Sequence, residues 1–196
     1  MKKSLVVIIV IAVVALLLFV WGNGRYNSMV TADEGVSTEW AKVESQYQRR
    51  TDLIPNLVST VKGYAAHEEG TLTAVIEARA KATSITIDPS NLTEESLQQF
   101  QGAQDQISSA LSRLMMVREQ YPDLKANQQF MELQAQLEGT ENRIAVARDR
   151  FNEAAKDYNV QIRKFPSNII ASLCGFDAKP YFKSQAGAET APKVEF

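Results

Sequence analysis

His67 and Cys174 are the two residues best suited to metal or covalent chemistry in this 196-residue chain, the only histidine and the only cysteine. Neither is given a partner by its neighbours. His67 opens the run His67-Glu68-Glu69-Gly70-Thr71. A zinc-protease helix needs H-E-x-x-H, two imidazoles one turn apart on one face, and position 71 is Thr. A Ser-His-acid triad would have to be built on His67 alone, and no G-x-S-x-G turn presents a nucleophile. The phosphate-cradling G-x-x-x-x-G-K-[ST] loop is missing as well. Cys174 lies between Leu173 and Gly175-Phe176; that setting predicts a small buried hydrophobe, since an activated thiolate needs positive charge beside it. One cysteine also excludes an internal disulfide framework. The residues therefore carry no enzyme signature, and no catalytic residue, cofactor site or metal site is assigned.

Charged and amide side chains cluster twice: Gln48-Arg49-Arg50-Thr51-Asp52 with Asn56, and Glu141-Asn142-Arg143 with Arg148-Asp149-Arg150 and Asn152. On helices such groups normally form solvated faces with pairs one turn apart, and that is expected here. The sharper alternative is a buried polar layer that fixes helix register.

These groups are positioned by a chain with two unlike parts. Leu5 to Trp21 is an unbroken apolar run behind Lys2 and Lys3. As a helix it reaches about 25 Å, near the lower limit for crossing a hydrocarbon core. A cleaved signal peptide would end in small residues at an A-x-A-like site; this run ends Phe19-Val20-Trp21-Gly22-Asn23-Gly24-Arg25, so residues 1–25 are expected to stay as a single-pass membrane anchor in contact with lipid through Leu5–Trp21. Lys2 and Lys3 before the run, against Arg25 alone close after it, place the N-terminus in the cytoplasm and the rest outside. Trp21 and Tyr26 suit the outer interface, and Gly22 and Gly24 mark a point where the helix could bend. Of 21 Lys+Arg and 23 Asp+Glu, removing Lys2 and Lys3 leaves 19 against 23, a formal −4 on the exported part. Such a balance does not suit nucleic acid, which wants a basic face.

Beyond the anchor, apolar residues recur at alternating steps of three and four. One stripe holds Val36, Trp40, Val43, Tyr47, Ile54, Leu57, Val61 and Tyr64, with Arg50 a break; a second holds Leu97, Phe100, Gln104, Ile107, Leu111, Leu114 and Tyr121. A third holds Phe130, Leu133, Leu137, Ile144, Phe151, Tyr158, Ile162 and Phe165, and a shorter alanine-rich stretch puts Leu72, Val75, Ile76 and Ala80 on one face. Heptad-like seams of this kind predict nearly antiparallel helices. The breaks fall at Asp88-Pro89-Ser90-Asn91 with Thr93 as N-cap, at Tyr121-Pro122, and at Phe165-Pro166, while His67–Thr71 either interrupts the first long helix or only bends it. Pro55, inside the first stripe, should kink that helix for packing or start a new one.

The expected fold is all-α: an N-terminal single transmembrane helix, residues 1–25, then an antiparallel up-and-down bundle of about four long helices over 26–182, and a flexible tail over 183–196. Trp40, Tyr47, Leu57, Leu111, Leu114, Ile144, Phe151 and Tyr158 form the predicted core. The first and last helices outrun the third, so part of their apolar seam is expected to lack intramolecular cover. Ile169, Ile170, Leu173, Phe176 and Phe182, crowded beyond the last long helix, form the candidate interaction surface. They dock either on their own bundle, or on a neighbouring copy or the membrane.

Two blocks carry a family resemblance. Arg49-Arg50-Thr51-Asp52-Leu53-Ile54-Pro55-Asn56-Leu57-Val58 with Val61-Lys62-Gly63-Tyr64-Ala65 is one. Glu141-Asn142-Arg143-Ile144-Ala145-Val146-Ala147-Arg148 through Phe165-Pro166-Ser167-Asn168-Ile169-Ile170-Ala171 is the other. With Pro180-Tyr181-Phe182 and the ending Ala191-Pro192-Lys193-Val194-Glu195-Phe196, the chain resembles the LemA family over nearly its whole length. The resemblance implies a single-pass protein of the bacterial cell (inner) membrane with a helical bundle, and neither activity nor cofactor. Anchor, seam and lack of catalytic motifs together lead to a membrane scaffold that forms homo-oligomers and binds envelope proteins. An adaptor or sensor, capturing a ligand or client for a membrane protease or transporter in a groove beside residues 169–182, is the alternative.

Overall fold

The computed structural model describes residues 2–183. The described residues form six α-helices and no strand, and the long helices follow from the apolar periodicity and its breaks. The first helix, α1, runs Lys2–Tyr64 without interruption. Its 63 residues reach about 94 Å. Gly22 and Gly24, marked in the sequence as a point where the helix could bend, both lie inside α1. Neither glycine demands a conformation outside the helical region, and only Gly175 adopts a positive φ among the described residues. The apolar part of α1 is exposed along its whole length and is long and apolar enough to cross a membrane.

Pro55 also lies within α1 rather than at a helix start. Its ring removes the N–H that would bond the carbonyl of Thr51, four residues back. Arg79 repairs the loss, donating from Nε to that carbonyl at 2.9 Å. The proline thus opens a docking point for the second helix, in line with its packing role.

α2 (Glu69–Thr83) turns back along α1 and pairs with α3 (Glu94–Val117). The link between them is pinned as expected: Asp88 accepts from the Ser90 backbone at the start of a short 3-10 turn, and Thr93 caps α3 with Ser96 closing a reciprocal capping box. The buried face of α2 differs from the expected one. Leu72, Val75, Ala78 and Ala82 face the core, while Ile76 is half-exposed. The short α4 (Pro122–Lys125) leads to α5 (Gln128–Arg163), capped by Asn127, which runs antiparallel along α1. A last helix that the periodicity did not resolve, α6 (Ser167–Cys174), folds back beside α1.

All eight predicted core residues are buried. They divide between two clusters. The membrane-distal one gathers Ile54, Leu57, Val61, Leu72, Val75, Ile107, Leu111, Leu114, Phe130, Leu133 and Leu137. The proximal one gathers Met29, Val36, Trp40, Val43, Tyr47, Leu97, Phe100, Ile144, Phe151, Tyr158 and Ile162. Two stripe members end up outside: Tyr64, where α1 stops, and Phe165, at 82% exposure just past the end of α5.

Candidate interaction surface

Between the two clusters sits a polar layer, at the stripe positions of Arg50, Gln104 and Thr140. Arg50 is 1% exposed, so the reading of this cluster as a solvated face fails at its central residue. Its guanidinium donates to Ser108 Oγ at 2.9 Å, Glu141 Oε1 at 2.7 Å, the Gln104 carbonyl at 3.1 Å and Gln104 Oε1 at 2.7 Å. It also lies over the Tyr47 ring. One cation therefore joins α1, α3 and α5 at a single register, because any slip would strand it in apolar surroundings. Around it, Arg49, Asp52, Asn56, Asn142, Arg143, Asp149 and Arg150 are exposed, as expected of a solvated face.

The uncovered seam expected between α1 and α5 is filled by the chain itself. α3 begins only at Glu94, yet Met29, Val36 and Trp40 are buried. Ile87 and Leu92 from the α2–α3 link, Ala171 and Ile170 of α6, and Phe176 and Phe182 beyond it supply the cover. Phe182 stacks on Trp40 and meets Phe151 edge-on. The part beyond α6 is non-helical and has no period to read, so the sequence left open whether it docks on its own bundle or elsewhere.

Two asparagines of α5, seven residues apart, hold this returning segment. Asn159 donates to the Lys179 carbonyl and accepts from the Lys179 N–H, both at 2.8 Å. Asn152 does the same to Phe182, at 3.1 and 2.8 Å. Each amide thus replaces a strand partner for one extended residue. Tyr158 donates to the Asp177 carbonyl at 3.0 Å, and burial, aided by Asp33 and Asp177, pushes its phenol up to about 12, so it remains a donor at neutral pH. Lys179, largely buried, pairs with Asp33 at 2.9 Å. Lys183, where the flexible tail was expected to begin, pairs with Glu94 and accepts at its carbonyl from Gln101 and Arg148. The remainder of that expected tail, 184–196, lies outside the described residues.

Replacing Asn159 by Ala should release this segment. It strands the buried N–H and carbonyl of Lys179, each worth about 1–3 kcal/mol when unsatisfied. Limited proteolysis should then cut between 176 and 183, where the unsubstituted protein resists. Equal resistance in both would show that the segment is held by its aromatic contacts alone.

The five residues singled out in the sequence divide. Phe182 is buried, Phe176 and Ile170 are partly buried against the proximal cluster, and Ile169 and Leu173 are 52% and 81% exposed. Cys174, expected to be buried, is exposed instead. It forms the last residue of α6, whose packed face carries Ile170 and Ala171, and Gly175 at φ 74 turns the chain away after it. Beside the segment, α1, α5 and residues 174–183 line an open groove of about 820 Å³, bordered by Asp33, Glu94, Arg163, Lys179 and Lys183. His67 is exposed in the link after α1. Among the described residues no group of three His, Cys, Asp or Glu stands close enough to share a metal ion.

Comparison with known proteins shows what the chain is similar to. The family model described as LemA family matches residues 39–196, from the bundle part of α1 to the last residue. Magnetosome protein MamQ 2 of Paramagnetospirillum magneticum (strain ATCC 700264 / AMB-1) is 29% identical over 203 residues, covering 94% of this chain and 72% of that protein. Magnetosome protein MamQ of Magnetospirillum gryphiswaldense is 28% identical over 185 residues, covering 85% and 67%. Protein LemA of Metamycoplasma hominis is 24% identical over 170 residues, covering 87% and 74%.

Proposed function

The chain belongs to the LemA family, and from that premise we propose that it is a non-enzymatic, membrane-anchored helical scaffold. Its copies associate with one another in the bacterial inner membrane and present helical surfaces to other envelope proteins. The N-terminus is cytoplasmic and the bundle lies outside. The observation that carries this reading is the continuity of α1: one helix is both the apolar span and the longest stave of the bundle. A bundle built this way is held at a fixed height above the bilayer with no linker, which suits a spacer or platform. Confinement to one membrane raises the effective concentration of copies, so modest contacts suffice for association. This support replaces the open seam expected from the sequence, which the returning segment fills.

The groove beside residues 174–183 favours a second reading, an adaptor that takes up a ligand or client there. Particle size in mild detergent separates the two. The full-length protein should run as a multiple of the 21.8 kDa chain at micromolar concentration. A strictly monomeric particle would overturn the scaffold and leave the adaptor. Orientation has its own test: protease added to intact spheroplasts should digest the bundle. Survival of the bundle until the membrane is lysed would reverse the topology.

A further inference from the structure

The geometry points to a second membrane contact: Phe165, Ile169 and Leu173 form an apolar foot that sinks into the outer headgroup region of the same bilayer that α1 crosses. This rests on the anchoring of α1, and the position of α6 relative to the span argues for lipid as the occupant. Ile170 lies against Gly22, its Cδ1 3.9 Å from where a Cβ would stand, and Phe176 meets the ring of Tyr26 at 5.5 Å. α6 is therefore level with residues 22–26 of α1, immediately after the apolar run ends at Trp21. The antiparallel register agrees. Gln46 pairs with Arg143 and Ser28 with Gln161, and extending that register sets Phe165 opposite Gly24.

Span length brings the bilayer to this level. The run Leu5–Trp21 covers about 25 Å, against a hydrocarbon core of about 30 Å. The shortfall is about three residues of helix, and it puts the outer boundary near Gly24, or thins the bilayer to meet it. Ile169 and Leu173 are one turn apart on the same face of α6, and with Phe165 they are 52%, 81% and 82% exposed. Exposed apolar groups continuous with a membrane span, at headgroup depth, are covered by lipid at no cost in conformational change. The surrounding residues fit that depth: Arg25 lies over Trp21, while Arg163 and Lys164, exposed beside Phe165, are placed for anionic headgroups.

Depth-dependent fluorescence quenching tests this on the full-length protein in liposomes that carry nitroxide-labelled lipids. With Cys174→Ser as background, single substitutions Phe19→Cys, Leu173→Cys and Ile76→Cys each take an environment-sensitive label, all at exposed positions. Cys174 itself, exposed on α6, takes it in the unsubstituted chain. The labels at 19 and 173 should both lose emission to headgroup-region nitroxides, and the label at 76, on α2, should keep it. A quenched label at 19 with labels at 173 and 174 as bright as that at 76 would overturn the foot while leaving the anchor intact. A label at 173 shielded from water only as protein density rises would assign the face to a second copy, which also overturns it. No quenching at 19 would overturn the anchor and the foot together.

Discussion

Replacing Arg50 by Ala should destabilise the bundle by about 3–5 kcal/mol, among the largest effects of any single substitution. For a domain of this size each kcal/mol lowers Tm by roughly 2–4 °C. The substitution leaves a cavity between the two core clusters and removes the Arg50 donor from the buried Gln104 Oε1, together with one of the donors to the Gln104 carbonyl. Glu141→Gln should cost far less, about 1 kcal/mol or below, because that carboxylate is 44% exposed and water takes over part of its role. Arg50→Lys should fall between, since an ammonium cannot serve three helices with a planar fork. A thermal melt in which Arg50→Ala and Glu141→Gln differ little would show that the cation is solvated and sets no register.

Phe151→Ala should cost a comparable 3–5 kcal/mol. Phe151 is fully buried, with ring centroids 5.6 Å from Trp40 and 5.4 Å from Phe182, both edge-on. Its removal takes away two aromatic contacts and the floor on which the returning segment rests. Loss of stability should therefore be accompanied by protease cleavage near Phe182, a signature that Arg50→Ala, a few turns away along α1, should lack. An unchanged melting temperature would place the third stripe in solvent.

The residues that repeat every three or four positions announced the long helices and the buried faces of α1, α3 and α5: the eight predicted core residues, from Trp40 to Tyr158, are buried. Thr93 marked a helix start through cap chemistry that depends only on local sequence. Arg50 was misjudged because periodicity weighs a residue by its type. Its partners Gln104, Ser108 and Glu141 come from helices far along the chain, and only the assembled bundle supplies them. The same limit hid Asn152 and Asn159. Each was legible as an amide near a heptad seam, yet the extended segment it serves has no pattern of its own. Cys174 and Leu173 ended outside for a local reason: α6 is only eight residues long, and one narrow face of it meets the bundle.

Cross-linking in native membranes tests the scaffold most directly. Cells making the full-length chain in light and heavy isotopic forms together are treated with a lysine-reactive reagent, for which Lys42, Lys62 and Lys156 are exposed. Self-association predicts peptides that join a light copy to a heavy one, at reproducible lysine pairs and without raising expression above its native level. Cross-links confined within single copies, with the chain joined only to other proteins, would contradict it.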